Sequence, residues 1–481
     1  MQPVYRLLPS ATLALCLIAP LANSADARQT SISGSMGTGV NIRDRSYKQN
    51  QSGNSNDDQQ KIFISPTITL SSQGVYDSIS LQYTPSFNYD FIDDTNSVDH
   101  SLSFNGQRLL TSRWSVSLTD NYTLSDDPEA SSSFTTTDSG SNSSSGSSDT
   151  TSQDTLSQDN FGSKYWTNAA SIRSSYALFE KTSLSGGYTY SVLRNDGSQG
   201  SGNDAYNEYD KHAFFTNLSH GINAYWRTSL GLNYTRGLYD QPPADSTTAS
   251  SNPNLDQYGL NFGIDYIQSV QDFFPLQYNL SETQYDSDTR SDTQSQEWSI
   301  GWNHSFDQQT SFSIGGGPSY AKTEGLEGQW GYNAYLTFTK QFEHATCSLQ
   351  LDKRYETKNF TGTDQSGLSD TYNARANLAY QYTKDLGIDL FGRYSKESQI
   401  DPQGVYRDAV TGIATETQTG ADTYDTNIYE AGVGFRYAFG RWYTAGLKYS
   451  YYVSDGQLDS DQYDEHRILF SISASKELWR W

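Results

Sequence analysis

Residues 427–452 read NIYEAGVGFRYAFGRWYTAGLKYSYY, and this stretch decides the fold. Every second side chain from Tyr429 to Phe439 and from Tyr443 to Tyr451 is apolar, and Gly440-Arg441-Trp442 separates the two runs. Alternation with period two gives an extended strand one apolar and one polar face, so the stretch predicts an antiparallel hairpin. Each strand is long enough to cross a bilayer, which takes about 9–11 tilted residues. The hairpin therefore predicts a transmembrane β-barrel.

Aromatic side chains crowd the ends of this apolar face, as in the girdles of barrels at the two membrane interfaces. We expect seven of them to face lipid: Tyr429, Phe435, Tyr437, Phe439, Tyr443, Tyr449 and Tyr451.

The rest of the chain repeats the same unit. We expect an all-β, antiparallel, up-and-down barrel of about 20 strands, with 18 as the alternative because the first strand, Ile32 to Ile42, is weakly patterned. An even number of strands leaves both termini on the periplasmic side. Short connections alternate with longer polar ones, notably 127–162 and 397–425, which predicts periplasmic turns and external loops.

Composition supports a barrel over the other classes. The chain has 481 residues, 35% hydrophobic content and a mean hydropathy of −0.70. After the leader it has no run of about 18 apolar residues, which excludes a helical membrane protein. Its 36 Tyr, 21 Phe and 9 Trp argue against disorder, because disordered chains are poor in aromatic residues.

The net charge of −23 disfavours nucleic acid as a partner, which requires a basic surface. Acidic loops are compatible with an outer-membrane surface, where divalent cations bridge carboxylates and the phosphates of lipopolysaccharide. Solubility alone explains the charge equally well. Outer-membrane lipid and lipopolysaccharide are therefore the expected surroundings.

The N-terminal 27 residues have the pattern of a secretory signal peptide: Arg6, an apolar core and small residues before the cleavage site. We expect residues 1–27 to be removed and residues 28–481 to form the barrel in a Gram-negative outer membrane. Cys16 follows Leu15, which does not fit a lipoprotein acceptor. Cys347 is the single cysteine of the mature chain, on the apolar face of its strand, where it is expected to act as a small apolar side chain.

The polar face of the strands should line the lumen. In the later strands it carries charges of both signs: Asp352, Arg354, Glu356, Arg375, Asp389, Arg393, Glu430, Arg436, Lys448 and Arg467. These charges could form cross-strand ion pairs that stiffen the wall. They could also form an arginine ladder for anionic or hydroxyl-rich solutes, with inward aromatics such as Tyr335 and Phe391 stacking on sugar rings.

No enzymatic chemistry is expected. His100, His212, His220, His304 and His466 lie on the outward parity, so the lumen lacks bases for a Ser-His-Asp arrangement. No nucleotide-binding glycine loop or metal-ligand spacing appears, so no cofactor is expected. The Ser-rich stretch 131–153 predicts an exposed mobile loop rather than a plug. The last residues, Leu478 to Trp481, change parity, which predicts a bulge or short tail.

The stretch Asp99–Asp127 (DHSLSFNGQRLLTSRWSVSLTDNYTLSDD), the repeated hairpins and the final ISASKEL resemble the β-barrel porin-2 family. Members of that family are often associated with exopolysaccharide systems. The resemblance implies the outer-membrane step of exopolysaccharide export, with periplasmic polysaccharide-export components and the secreted polysaccharide as partners. The alternative is a general or small-solute diffusion porin.

Overall fold

The computed structural model describes residues 28–48, 58–127, 156, 163–196, 206–240, 252–287, 290–362, 367–400, 405–407, 414–416, 425–456 and 462–481. The expected signal peptide and the Ser-rich stretch 131–153 lie outside these ranges. Within them, no helix is long and apolar enough to span a membrane.

Twenty long strands form one sheet, and two short strands form a separate hairpin in the connection after β17. The strands are β1 (Gln29–Tyr47), β2 (Gln59–Gln73), β3 (Asp77–Asp90), β4 (Thr95–Thr111), β5 (Trp114–Ser125), β6 (Tyr165–Phe179), β7 (Thr182–Asn195), β8 (Tyr209–Gly221), β9 (Trp226–Tyr239), β10 (Leu255–Ile267), β11 (Asp272–Tyr285), β12 (Thr293–Ser305), β13 (Thr310–Thr323), β14 (Gln329–Gln341), β15 (Ala345–Lys358), β16 (Gly367–Gln381), β17 (Leu386–Gln399), β18 (Val405–Arg407), β19 (Ala414–Glu416), β20 (Asp425–Phe439), β21 (Tyr443–Asp455) and β22 (Gln462–Arg480).

The sheet closes on itself. Each long strand pairs antiparallel with the next long strand of the chain, with β17 followed by β20, and β1 pairs with both β2 and β22. The predicted barrel of 20 strands is therefore confirmed over the alternative of 18. The faint first strand is the 19-residue β1, whose glycines and small polar residues weaken the hydrophobic alternation.

The connections sort to two ends. At one end, which we call the turn end, the connections have two to four residues. In the turn after β12, the backbone N–H of Gln309 donates to the Asp307 carboxylate (2.7 Å), and this bond lowers the pKa of that carboxyl. The other end, the loop end, carries the longer connections, although β3 and β4 are joined there by residues 91–94 alone.

The C-terminal bulge is confirmed. Ile32 of β1 lies opposite Trp479, while Ser33 lies opposite Glu477, so Leu478 is the extra residue in β22. The Leu478 side chain lies over Gly34, with its Cδ1 3.0 Å from where a Cβ on Gly34 would stand. The bulge thus sits on the seam where the first and last strands meet.

An apolar belt surrounds the barrel, because directly opposed residues of neighbouring strands point to the same face. One row runs from Phe435 through Leu447 and Phe470 to Val40. The seven side chains that the sequence assigns to the lipid-facing girdle lie on this face and are 37–51% exposed.

Aromatic rings form two bands within the belt. Near the turn end, Trp226 packs on Tyr266 (ring centroids 4.9 Å apart), and nearer the loop end Tyr278 packs on Trp298 (5.2 Å). Past the second band the outward face becomes charged. There Lys353 pairs with Asp370 (2.9 Å) and lies 4.6 Å from the Tyr332 ring centroid. Two aromatic bands that flank an aliphatic zone are typical of a membrane-spanning barrel.

The wall bends sharply around β13. Pairing between β14 and β15 begins only at Ala334, so the backbone N–H of Tyr355 donates instead to the Glu297 carboxylate of β12 (3.0 Å). Tyr335 lies over Gly315, whose absent side chain leaves room for the ring. This hydrogen bond joins β12 directly to β15 across the two strands between them.

Candidate functional site

The candidate functional site is the inward face, which lies opposite the apolar belt. Its most buried part is at the seam, where β1 meets β22. Arg43 and Arg45 of β1 bind Glu465 of β22 at 3.1 and 2.9 Å, and all three side chains are at most 3% exposed. Arg467 lies 3.3 Å from the same carboxylate. We call Arg43, Arg45, Arg467 and Glu465 the seam cluster.

The seam cluster is enclosed by aromatic rings and by the start of a loop. The Arg45 guanidinium lies 4.2 Å from the centroid of the Tyr463 ring, a cation–π contact. Asp127, just beyond the end of β5, reaches Arg43 (3.3 Å), and its neighbour Asp126 reaches Lys61 of β2 (2.8 Å). The loop after β5 therefore begins by folding inward against β1 and β2.

A second inward contact closes part of the mouth at the loop end. Inward side chains at the loop ends of β6 to β11 form an apolar cluster with residues of three loops. Its members are Leu156, Tyr165, Leu193, Tyr206, Tyr209, Tyr239, Leu255, Tyr285 and Phe360. We call this group the mouth cluster; the Tyr165 hydroxyl also donates to the Asp127 carbonyl (2.9 Å), which links it to the seam.

Phe360 comes from the loop after β15, yet it packs against β8 and β9. Its ring centroid lies 5.2 Å from that of Tyr209 and 6.1 Å from that of Tyr239. The Tyr285 hydroxyl donates to Asn359 Oδ1 (2.9 Å), and the Tyr239 hydroxyl donates to the Asn359 carbonyl. The segment 359–362 thus leans over the mouth and is held there by packing and hydrogen bonds.

Gly362 ends this segment in a conformation that favours glycine. Its φ is +77°, and its carbonyl accepts a hydrogen bond from the backbone N–H of Asn207 (2.8 Å). A Cβ at this position would stand 2.8 Å from the Tyr206 ring. The close approach of the two loops therefore requires a glycine here.

Toward the turn end, the inward face of β16, β17, β20 and β21 is different. Arg375, Asp389, Arg436 and Lys448 are exposed, and Arg393 and Glu430 are half-buried. Within the described part of the chain, none of these six side chains has an ion-pair partner within 4.0 Å, although Arg393 and Glu430 are opposed in register. We call Arg375, Arg393, Arg436 and Lys448 the cationic strip.

The other four candidates have partners. Asp352 accepts a hydrogen bond from Asn373 (3.0 Å), Arg354 pairs with Glu356 on its own strand (3.4 Å), and Arg467 belongs to the seam cluster. Among the described residues, the cationic strip thus does not form the cross-strand ion pairs that its sequence suggested. The lining role of the ten residues stays a prediction, with all ten on the inward parity.

Sequence reasoning missed Arg43, Arg45 and Glu465 of the seam and Phe360 of the mouth. The alternation of β1 assigns Arg43 and Arg45 to the inward side, which could have placed them with Arg467. No local signal distinguishes Phe360 from other loop aromatics, because its partners lie on distant strands.

The histidines on the strands lie on the outward face and bond to neighbours. The Nδ1 atoms of His100, His212 and His466 lie 2.8–2.9 Å from the hydroxyls of Tyr83, Tyr188 and Tyr449. His304 Nδ1 lies 2.7 Å from the Asp272 carboxylate. Cys347, half-buried, is on the same face. In the residues that the structure describes, no group of three or more His, Cys, Asp or Glu could hold a metal ion.

No family profile matches the sequence, and no curated protein matches it either. Among solved structures, the chain is similar to the siderophore receptor PirA from Pseudomonas aeruginosa (10% identity, TM-score 0.47, 93% of this chain and 80% of that one). It is also similar to OpdL from P. aeruginosa (11%, 0.38, 94% and 99%) and to OccK2 (OpdF) from P. aeruginosa in complex with glucuronate (10%, 0.41, 93% and 97%). The barrel described here rests on this chain's own strand pairing.

Proposed function

We propose that this protein is an outer-membrane conduit through which small polar solutes diffuse. The observation that carries the proposal is the inward face of β16, β17, β20 and β21 toward the turn end, where Arg375, Asp389, Arg436 and Lys448 are exposed and have no ion-pair partner among the described residues. A wall that only had to be rigid would be expected to avoid Arg375 opposite Arg393, because like charges directly opposed on a sheet destabilise it. Exposed charges in a channel act on the solute that passes.

The outward face supports the membrane location. An apolar belt between two aromatic bands suits the hydrocarbon core, and the charged outward positions past the second band suit a headgroup layer that includes lipopolysaccharide. By the usual rule for such barrels, the turn end faces the periplasm and the loop end faces outward. A signal peptide at residues 1–27 would deliver the chain to this membrane.

The mouth favours small solutes over a polymer. Phe360 and Asn359 lean over the opening, and Asp126 and Asp127 enter it from the side of β5. A polysaccharide would have to displace these contacts, whereas a small solute needs only the remaining space. Polysaccharide export rests on the family resemblance alone, so we favour the diffusion porin. The proposal involves passage without an enzymatic step.

The test is reconstitution of the mature chain, residues 28–481, into planar lipid bilayers and liposomes. We expect stepwise KCl currents, and liposome swelling that slows as the size of an uncharged sugar increases. If neither the native chain nor a Phe360→Ala variant conducts ions or passes sugars, the conduit is wrong. Loss of secreted polysaccharide on gene deletion, with no conductance in bilayers, would instead favour the export alternative.

A further inference from the structure

We propose that two copies of this protein associate in the membrane through the outward face of β5 and β6. The contact centres on Asp120 and Tyr122 of β5, where the Tyr122 hydroxyl of each copy donates to the Asp120 carboxylate of the other. This surface belongs to the outer wall, so the proposal does not depend on what passes through the lumen.

Asp120 is a carboxylate on the lipid-facing side of the wall. It shares the outward parity of β5 with Trp114 and Tyr122, and it lies directly opposite Phe104 of β4 and Ala170 of β6. Trp114 belongs to the aromatic band near the turn end, about 20 Å away along the strand, and Tyr122 belongs to the band nearer the loop end, about 7 Å away. Asp120 therefore stands in the aliphatic zone between the bands, where charged side chains destabilise a barrel.

The Asp120 carboxylate is only half satisfied within its own chain. The side-chain amide of Asn168 donates to its Oδ1 (2.6 Å) and also to the Asn121 carbonyl (3.3 Å). Its Oδ2 has no hydrogen-bond partner among the described residues. Elsewhere in the belt a polar pair bonds within the wall, since the Trp114 indole N–H donates to the Ser174 hydroxyl (2.8 Å). The hydrocarbon layer supplies no water, so the second oxygen of Asp120 needs a donor from another molecule.

A matching donor lies on the same strand. The Tyr122 hydroxyl has no hydrogen-bond partner in the described part of the chain, whereas the outward Tyr449 hydroxyl lies 2.9 Å from His466 Nδ1. Each copy thus offers one open acceptor and one open donor on one strand. When a two-fold axis along the membrane normal relates two copies, each patch faces its own image at the same depth. Each donor can then reach the other copy's acceptor, and the contact closes as a dimer.

The wall beside Asp120 is low enough for close approach. The Phe104 ring lies over Gly106, with its Cζ 3.2 Å from where a Cβ would stand, and the side chain is only 6% exposed although it is on the outward face. Ala170 flanks Asp120 on the other side. Small side chains and polar groups that bond across the contact are what brings membrane-spanning segments together, because burial of apolar surface gains nothing in lipid.

The experiment measures disulfide cross-linking in isolated outer membranes. The full-length chain is expressed in a Gram-negative host with Cys347→Ser, so that an introduced cysteine is the single one outside the leader. Leu118→Cys, two residues from Asp120 on the same face, should give cross-linked dimers when the membranes are oxidised. The matched control is Leu349→Cys, which is also half-buried, outward and the fifth residue of its strand, but lies on β15, ten strands away in the ring of 20. It should give little cross-linked dimer.

Two substitutions test the hydrogen bonds themselves. Asp120→Leu and Tyr122→Phe should each raise the dissociation constant of the purified dimer roughly tenfold or more, measured by light scattering in detergent at decreasing protein concentration. The control Tyr449→Phe removes a hydroxyl that already has a partner in its own chain, and it should leave the dissociation constant unchanged. Heat-dependent migration on gels identifies folded variants, and Tyr122→Phe carries the test if Asp120→Leu fails to fold.

Several results would overturn the dimer. A native chain that is monomeric in both membranes and detergent would do so, as would equal cross-linking at Leu118→Cys and Leu349→Cys. A dimer that neither Asp120→Leu nor Tyr122→Phe weakens would place the contact elsewhere on the wall. A trimer, or a complex with a different protein at this face, would also contradict the proposal, because the reciprocal contact closes at two copies.

Discussion

Two groups of arginines share the inward face of this barrel, and their surroundings differ completely. In the seam cluster, Arg43 and Arg45 are at most 2% exposed and bind one buried carboxylate, Glu465. In the cationic strip, Arg375 and Arg436 are exposed, and no acid lies within 4.0 Å of them in the described residues. Residue type and strand parity are therefore the same, while pairing and burial are opposite.

The difference in pairing and burial distinguishes arginines that stabilise the barrel from arginines that are available to a solute. A charge removed from water must be paired, because an uncompensated buried charge costs several kcal/mol. The seam arginines meet this condition and join the last strand to the first. Arg375 and Arg436 of the strip are exposed and keep their hydration, so they can exchange water for a solute. The same side chain thus serves closure at one place and, in our proposal, recognition at the other.

The largest effect is expected at the seam. Glu465→Gln removes the carboxylate that Arg43 and Arg45 share and leaves their charges buried, which should lower the free energy of unfolding by about 3–5 kcal/mol. The measurement is urea unfolding in lipid vesicles followed by tryptophan fluorescence. The matched control is Glu430→Gln, opposite Arg393 of the strip, which should stay within about 0.5 kcal/mol of the native chain. Equal losses in both variants would remove the distinction between the two groups.

The next effect concerns the mouth. Phe360→Ala removes the ring that packs on Tyr209 and Tyr239, and buried Phe→Ala substitutions cost about 3–5 kcal/mol. The segment 359–362 should then spend more time undocked, so the single-channel conductance in 1 M KCl should rise. The anion preference expected from the cationic strip should remain, because the strip is unchanged.

The control for the mouth is Phe439→Ala on the outward face at the turn end, which should leave the conductance unchanged. Tyr285→Phe is a milder test, since it removes only the hydrogen bond to Asn359, worth about 1 kcal/mol. An unchanged conductance in Phe360→Ala would mean that the docked segment does not limit the passage of ions.

The sequence predicts the wall of the barrel because strands obey a local rule. Alternation alone assigns Phe435, Leu447 and Phe470 to the outward face, where strand pairing places them in one row, and the change of parity near Leu478 predicts the bulge. The strand count follows from the same rule, even though β1 is rich in glycine. These features depend on neighbours one or two residues apart, which a sequence displays directly.

The closed parts of the lumen cannot be predicted from the alternation of side chains. Arg43 meets Asp127, which is 84 residues away, and Tyr209 packs on Phe360 across the mouth. Such contacts depend on where loops fold after the wall is built, and no periodicity encodes them. Alternation also does not predict that the strip lacks ion pairs in the described residues, because Arg393 and Glu430 are opposed in register without forming one. Register gives the row in which a side chain lies but not where its charged end rests.

Salt concentration should affect the cationic strip and the seam cluster differently. Raising KCl from 0.1 to 1 M shortens the Debye length from about 10 to about 3 Å, which screens exposed charges far more than buried ones. The anion preference measured from reversal potentials should therefore decline across this range. The difference in unfolding midpoint between the native chain and Glu465→Gln should stay the same over this range. A preference that survives 1 M salt would place the selective charges in a buried part of the lumen.

The smallest effect is expected at Arg354, which lies between the two extremes. It is paired, as in the seam, but its side chain is 51% exposed, as in the strip. If pairing alone made an arginine structural, Arg354→Ala would destabilise the barrel as Glu465→Gln does. If burial decides, the pair with Glu356 is worth at most about 1 kcal/mol, the usual value for exposed ion pairs. We expect the smaller value by urea unfolding, since solvent screens this pair and side-chain entropy opposes it. A loss near that of Glu465→Gln would show that pairing, and not burial, distinguishes the seam from the strip.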